Sequence, residues 1–268
     1  MTPSVADIEQ ALFSWAPKEL AESWDNVGLL AGSPAAEARG ILLGLDPTSA
    51  LLEAAQDLGA NVVITHHPVI FHPLKALRTD QPTGHFLATA IKHDIHVIAC
   101  HTNLDSAVGG VSDILARNMG LEDIIPLVLA NCETPSCGLG RTGRYSMPLS
   151  PDQCIERLKS SCHPPWLLEA GNRPDQVSTV AVCGGSCSDF AQAALESGAD
   201  LFITAEVKHS IARWAEEAGL WIIDGGHFAT EQPAMEPLRQ RLRSELAQTA
   251  LENRIYAAGQ SSPLNIIT

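Results

Sequence analysis

The chain has 268 residues, 45% of them hydrophobic, which is enough apolar side chain for one large core or two modest ones. Its 17 Lys and Arg against 31 Asp and Glu leave a formal net charge of −14, a field that repels phosphate backbones and anionic membranes and disfavours a nucleic-acid partner. No run approaches the roughly 18 consecutive apolar residues of a membrane span, Met1-Thr2-Pro3-Ser4 lacks the features of a secretion signal, and seven cysteines without a CxxC pair do not read as a disulfide framework. The expectation is a cytoplasmic protein with reduced thiols.

Thr2-Pro3-Ser4 followed by Val5, Ile8, Leu12 and Trp15 predicts a capped amphipathic helix. Asp25-Asn26 before Gly28 marks a polar turn into a strand. From residue 41 the pattern alternates: strand at Ile41 to Leu45, helix at Ser49 to Leu58, strand at Asn61 to Thr65, helix at Gly84 to His93, strand at Ile95 to Cys100. Prolines and glycines break the periodicity between about 126 and 176, where Arg144 to Met147 reads as a strand and Ser150 to Ser161 as a capped helix. The alternation then returns with strands at Val180 to Cys183, Leu201 to Thr204 and Trp221 to Ile223, with helices at Ser188 to Glu196 and through Trp214. Short apolar strands separated by helices predict an α/β fold with mostly parallel, helix-covered sheets.

Residues 41–65 align without a gap on residues 180–204, with Gly59/Gly198, Ala60/Ala199, Ile64/Ile203 and Thr65/Thr204 identical. This internal repeat predicts two related β-α-β halves. His66-His67 follows the first copy and Ala205-Glu206 the second.

In an open parallel sheet the ligand site lies beyond the carboxyl ends of the strands. His66-His67 follows one predicted strand, His101 to Asp105 another, and Gly225-Gly226-His227 with Glu231 a third. His227 and Glu231 are four apart, so a helix starting there places them one turn apart on one face. Each feature has a plainer reading: His66-His67 as a turn, Asp105 as a helix cap, His227 and Glu231 as an exposed pair. Together, three histidines and two carboxylates are too many for one open catalytic ion and suit two divalent ions, with Glu231 as the candidate bridge. Nitrogen and oxygen ligands fit zinc, manganese, iron, cobalt or nickel. Glu206 and His209 follow the second-copy strand as candidates for proton transfer or substrate contact, with a plain helix start as the alternative. His101 is a candidate for orienting a ligand, Asp25 and Asn26 for anchoring a loop near the site, and the Gly184-Gly185 turn for cradling an anion.

The segments WDNVGL (24–29), ITHHPVIF (64–71), HTNLDSAVGG (101–110), GLGRTGRY (138–145), DLFITAEVKH (200–209) and GGHFATE (225–231) resemble, in order, the motifs of the NGG-interacting-factor-like family, also known as dinuclear metal-centre hexamers or GTP cyclohydrolase I type 2 homologues. The resemblance spans nearly the whole chain. It implies His66, His67, Asp105, His227 and Glu231 as ligands of two divalent ions, with Glu231 touching both. It also implies two related α/β lobes, a metal-binding one from residues 1–125 with 225–268 and an inserted one from 126–224, and a ring-shaped homohexamer with the metal sites facing an internal cavity. Ala205 departs from the pattern, where the family often has Gly. The expected function is a metal-dependent hydrolase of a phosphorylated or nucleotide-like small molecule; the alternative is a metal-handling or metal-insertion protein, or a ring scaffold.

Overall fold

The first helix, α1 (Val5–Trp15), begins at a capping box: the Ser4 hydroxyl accepts from the Asp7 N–H and the Asp7 carboxylate accepts from the Ser4 N–H. The computed structural model describes residues 2–130 and 136–267. Behind α1 come β1 (Gly28–Ala31), β2 (Ile41–Gly44), α2 (Ser49–Asp57), β3 (Val62–Thr65), α3 (Pro82–Lys92), β4 (His96–Ala99) and α4 (Thr102–Ser106). The chain continues through α5 (Val111–Asn118), β5 (Glu122–Leu129), β6 (Gly138–Leu149), α6 (Pro151–Cys162), β7 (Leu168–Ala170), β8 (Val177–Val182) and α7 (Ala191–Glu196). Then follow β9 (Leu201–Thr204), α8 (His209–Ala218), β10 (Trp221–Asp224), α9 (His227–Glu231), α10 (Met235–Glu245) and β11 (Ile255–Ala257). Two compact units result, one from residues up to Leu104 together with Met235–Gln260, the other from Asp105–Ala234 together with the segment from Ser261 onward.

In the first unit the strand order is β1-β4-β3-β2-β11. β2, β3, β4 and β11 run parallel, and β1 is an antiparallel edge. Every residue of β2, β3 and β4 is buried, which is why these strands read as continuous apolar runs and not as alternating ones. Leu42, Leu52, Val63, Phe86, Leu87 and Val97 form part of the core between this sheet and its helices.

In the second unit the order is β5-β6-β8-β9-β10-β7. The expected parallel arrangement is confined to its centre, β8-β9-β10, while β5, β6 and β7 pair antiparallel around it. β6 and α6 enclose a core that includes Tyr145, Leu158, Val180, Leu201 and Trp221. Helix α6 opens as its sequence predicts, with Ser150 capping Gln153, a reciprocal Gln153 bond, and Pro in the first turn. Among the described residues, no helix is long and apolar enough to cross a membrane.

The internal repeat is structural as well as sequential. In the first unit Ile41, Leu42 and Leu43 pair with Val62, Val63 and Ile64; in the second Val180, Ala181 and Val182 pair with Leu201, Phe202 and Ile203. The aligned residues of the two copies thus occupy the same register, and in each copy a third parallel strand follows, β4 beside β3 and β10 beside β9.

Candidate metal centre

In the first unit three imidazoles gather beyond the ends of β3 and β4. His66 and His67 follow β3, and His101 follows Cys100 at the end of β4. Their ring centroids are 5.0 Å (His66 to His67), 5.1 Å (His66 to His101) and 5.6 Å (His67 to His101) apart. One nitrogen of each lies within 4.8 Å of the others, close enough for the three to hold a metal ion. The parallel sheet brings them together: Gly44 pairs with Thr65 and Thr65 with Ala99, so the chain emerges from three adjacent strands at one level.

Each of these rings is fixed through Nδ1. His66 Nδ1 lies 3.0 Å from the Cys100 carbonyl oxygen, an acceptor only, so Nδ1 carries the proton and the lone pair is on Nε2. His67 Nδ1 is 2.7 Å from the Asp46 carboxylate and His101 Nδ1 is 2.8 Å from that of Asp25. An imidazole that donates Nδ1–H to an oxygen presents Nε2 as its ligating atom, with the ring plane fixed and the ligand basicity raised. Asp25 is itself anchored: its side chain is fully buried and accepts from the Thr102 N–H at 3.0 Å and from the Thr102 hydroxyl. Burial opposes ionisation of Asp25, but the hydrogen bonds and the charge of His101, with the Thr102 bonds, outweigh it and hold the carboxyl down at about 2.

In the second unit His227 and Glu231 follow β10, the strand that occupies the place of β4, and Asp105 lies on α4. His227 and Glu231 are the first and last residues of α9. Their Nε2 and Oε2 atoms are 3.2 Å apart, and the other His227 nitrogen, Nδ1, lies 2.9 Å from Glu206. The buried Asp224, at the end of β10, sets this geometry: its carboxylate accepts from the Gly226 N–H at 3.0 Å and from the Val207 N–H at 2.9 Å. It thereby ties the turn before His227 to the loop carrying Glu206. Gly226 takes a φ of +80° there, a conformation that favours glycine. Glu206, not Ala205, is the residue with positive φ in this loop, at +53°; Ala205 is buried and donates to the Gly185 carbonyl at 3.0 Å.

The Gly184-Gly185 turn packs against the carboxylate. A Cβ on Gly185 would sit 2.1 Å from Glu231 Oε1 and 3.2 Å from His227 Nε2. The turn is therefore a wall for Glu231. His209, the first residue of α8, is exposed and outside both histidine-containing groups. Two features were not read from the sequence. Asp46 as the anchor of His67 is one, because only the pairing of β2 with β3 reveals that these ends are neighbours. The thiol of Cys187 is the other: its hydrogen bond with Cys183, burial, and the negative charges of Asp105 and Glu231 all push its pKa upward.

The donor sets suit a divalent cation. With Nδ1–H directed to Glu206, a neutral His227 turns a lone pair toward the Glu231 carboxylate at 3.2 Å, and two acceptors that close require a proton or a metal ion between them. All the donors are imidazole nitrogens and carboxylate oxygens, the set that suits borderline ions such as zinc, manganese or iron.

Fold and side chains together define an α/β protein with repeated β-α-β sheets whose strand ends present histidine groups able to hold metal. The chain belongs to the Duf34/NIF3 (NGG1p interacting factor 3) family, whose model matches residues 3–262. It is 33% identical over 244 residues to a protein of Clostridium perfringens named GTP cyclohydrolase 1 type 2 homolog, covering 90% of this chain and 93% of that one. A Nostoc protein of the same name is 36% identical over 210 residues, 78% of each chain. A crystal structure of a Bacillus cereus protein related to NIF3 superposes over 100% of both chains with a TM-score of 0.92 and 25% identity.

Proposed function

We propose that the two histidine groups act as the halves of one dinuclear centre, and that the protein is a metal-dependent hydrolase of a nucleotide-like or phosphorylated small molecule. In this reading His66, His67, Asp105, His227 and Glu231 hold two divalent ions, with Glu231 shared. The observation that carries it is the common fixing of the rings: His66, His67 and His227 each have Nδ1 against an oxygen, which assigns Nε2 to the ion. Such a pair of ions, when bound, supplies Lewis acidity that acidifies water and polarises an electrophilic oxygen. Glu206 positions His227 and, with its side chain 59% exposed, can accept a proton at its second oxygen. His209, exposed at the start of α8, is assigned to substrate contact. Hydrolysis fits this donor set and the names of the relatives, and nothing in the residues selects guanine. The assembly is read as a homohexamer in the cytoplasm.

Metal analysis of the purified protein, followed by a screen of nucleotides, phosphoesters and cyclic amidines against the native protein and Glu231→Ala, tests the reading. Metal-dependent turnover that the variant loses together with its metal is the expected result. Persistent inactivity with rapid transfer of metal to an apo-acceptor would instead assign a metal-handling role. Light scattering should give a mass near six chains.

A further inference from the structure

Two large aromatic side chains stand exposed beside the imidazole group of the first unit. Trp24 is 55% and Phe71 40% solvent-exposed, yet their ring centroids are 5.7 Å apart and both face His101, at 6.1 and 6.3 Å. Exposed aromatics are ordinarily free to rotate away, but the backbone on either side of these is fixed. Asp25, next to Trp24, is buried and bonded to His101 and Thr102, and Asn26 Nδ2 donates to the Ile70 carbonyl at 2.6 Å, which fastens the residue before Phe71 to the same loop. The loops that carry the rings are thus held together and the rings rest against each other and His101 while keeping much of their apolar surface open, which lowers the ordering cost of binding a flat ligand. Trp24 and Phe71 are inclined at 53°, and His101 meets them edge-on at 73° and 70°. Together they form a corner with open faces and not a closed stack. His101 is in turn 5.1 Å from His66 and 5.6 Å from His67, so the corner borders the proposed ligand nitrogens directly.

We propose that Trp24 and Phe71 form a stacking platform for the heteroaromatic ring of the substrate, which places the ring's phosphorylated or hydrolysable end toward His66 and His67. The platform narrows the substrate class from phosphorylated small molecules in general to those carrying a planar nitrogen heterocycle, such as a nucleoside phosphate. It rests on the metal-centre reading for the orientation of the ligand, but not for the stacking itself. Base–aromatic stacking of even modest strength is worth about fivefold in affinity per base.

The test is equilibrium binding to the full chain, carrying the metal it retains on purification, of guanosine and adenosine monophosphates against ribose 5-phosphate, which has the phosphate without the base. The nucleotides should bind at least about fivefold more tightly. Trp24→Ala should remove most of that preference while leaving ribose 5-phosphate affinity and metal content unchanged, and Trp24→Phe should restore part of it. Equal binding of nucleotide and sugar phosphate to the native protein would overturn the proposal, as would a preference that survives in Trp24→Ala. A fall in assembly mass in Trp24→Ala with the nucleotide preference intact would assign the corner to a second copy of the chain and would likewise overturn it. If the purified chain holds no metal and still prefers nucleotides through Trp24, the platform stands and the metal-centre reading fails; metal retention without a nucleotide preference is the reverse. Circular dichroism of Trp24→Ala confirms that the variant is folded.

Discussion

Gly185 has two properties that a side chain would violate at once. Its φ is +71°, and a Cβ would overlap Glu231 Oε1. Gly185→Ala is therefore expected to destabilise the second unit by about 1–3 kcal/mol and to displace the Glu231 carboxylate. Urea denaturation and metal analysis should report a lower midpoint together with reduced metal content; native values of both would show that the wall yields without consequence. Asp25 gives a second prediction, one of pH. Its pKa falls from 3.8 to about 2 on folding, so its contribution is fully present above the unfolded value and is lost as pH drops through about 2. Asp25→Asn should accordingly cost on the order of 2 kcal/mol at neutral pH, and the gap to the native protein should close near pH 2. A gap that is constant from neutral pH to pH 2 would assign the loss to packing. The candidate histidines and carboxylates could be singled out in the sequence because each lies a short way past the end of an apolar strand-like run. Their anchors could not: Asp46 is 21 residues from His67, and the distance between them is set only by strand pairing. Cys187 was similarly hidden, since a thiol in a glycine turn carries no sign of the carboxylates that the fold brings near it.

The repeated β-α-β element was the most legible part of the chain, because parallel strands buried on both faces leave an uninterrupted apolar signature and the two copies keep one register. The β5-β6 pair shows the opposite. Gly138, Gly140 and Gly143 interrupt the pattern of β6, so a strand of 12 residues appeared only as the short stretch from Arg144 to Met147. Arg141 is 1% exposed. Its guanidinium meets the Asp113 carboxylate of α5 at 2.8 Å and also donates to the carbonyls of Gly138, Gly140 and Ala107. Asp113 accepts in addition from the Gly109 N–H, so one ion pair joins α5, β6 and the loop after Asp105. Arg141→Met would leave the buried Asp113 carboxylate with only the exposed Arg117 guanidinium, at 4.0 Å, as counter-charge and is expected to cost about 3–5 kcal/mol. The double variant Arg141→Met with Asp113→Leu should recover a large part of that loss, since an apolar pair of similar volume removes the uncompensated charge. A double-mutant cycle in urea measures this, and strictly additive losses would mean that the guanidinium acts through its carbonyl bonds alone.

At the scale of the whole molecule the proposed ligands divide between the two units: His66 and His67 belong to the first, and Asp105, His227 and Glu231 to the second. If both sets hold the same ions, binding is a constraint on the entire chain and not on one unit. A ligand that binds only the folded state at a free concentration of 100 times its Kd stabilises by about 2.7 kcal/mol. For a chain of this length each kcal/mol raises the melting temperature by roughly 2–4 °C, so saturating metal should raise it by about 5–11 °C over the protein in chelator. The decisive comparison uses one variant from each unit. On the proposed reading His66→Ala and Glu231→Ala should each abolish most of the metal-induced shift, because each removes a ligand of the same pair of ions. A centre confined to the first unit would lose the shift in His66→Ala and keep it in Glu231→Ala, and one confined to the second would do the reverse. Calorimetry distinguishes these cases, since a shared centre makes metal move the unfolding of both units together, whereas a confined one leaves the transition of the other unit where it stands in chelator.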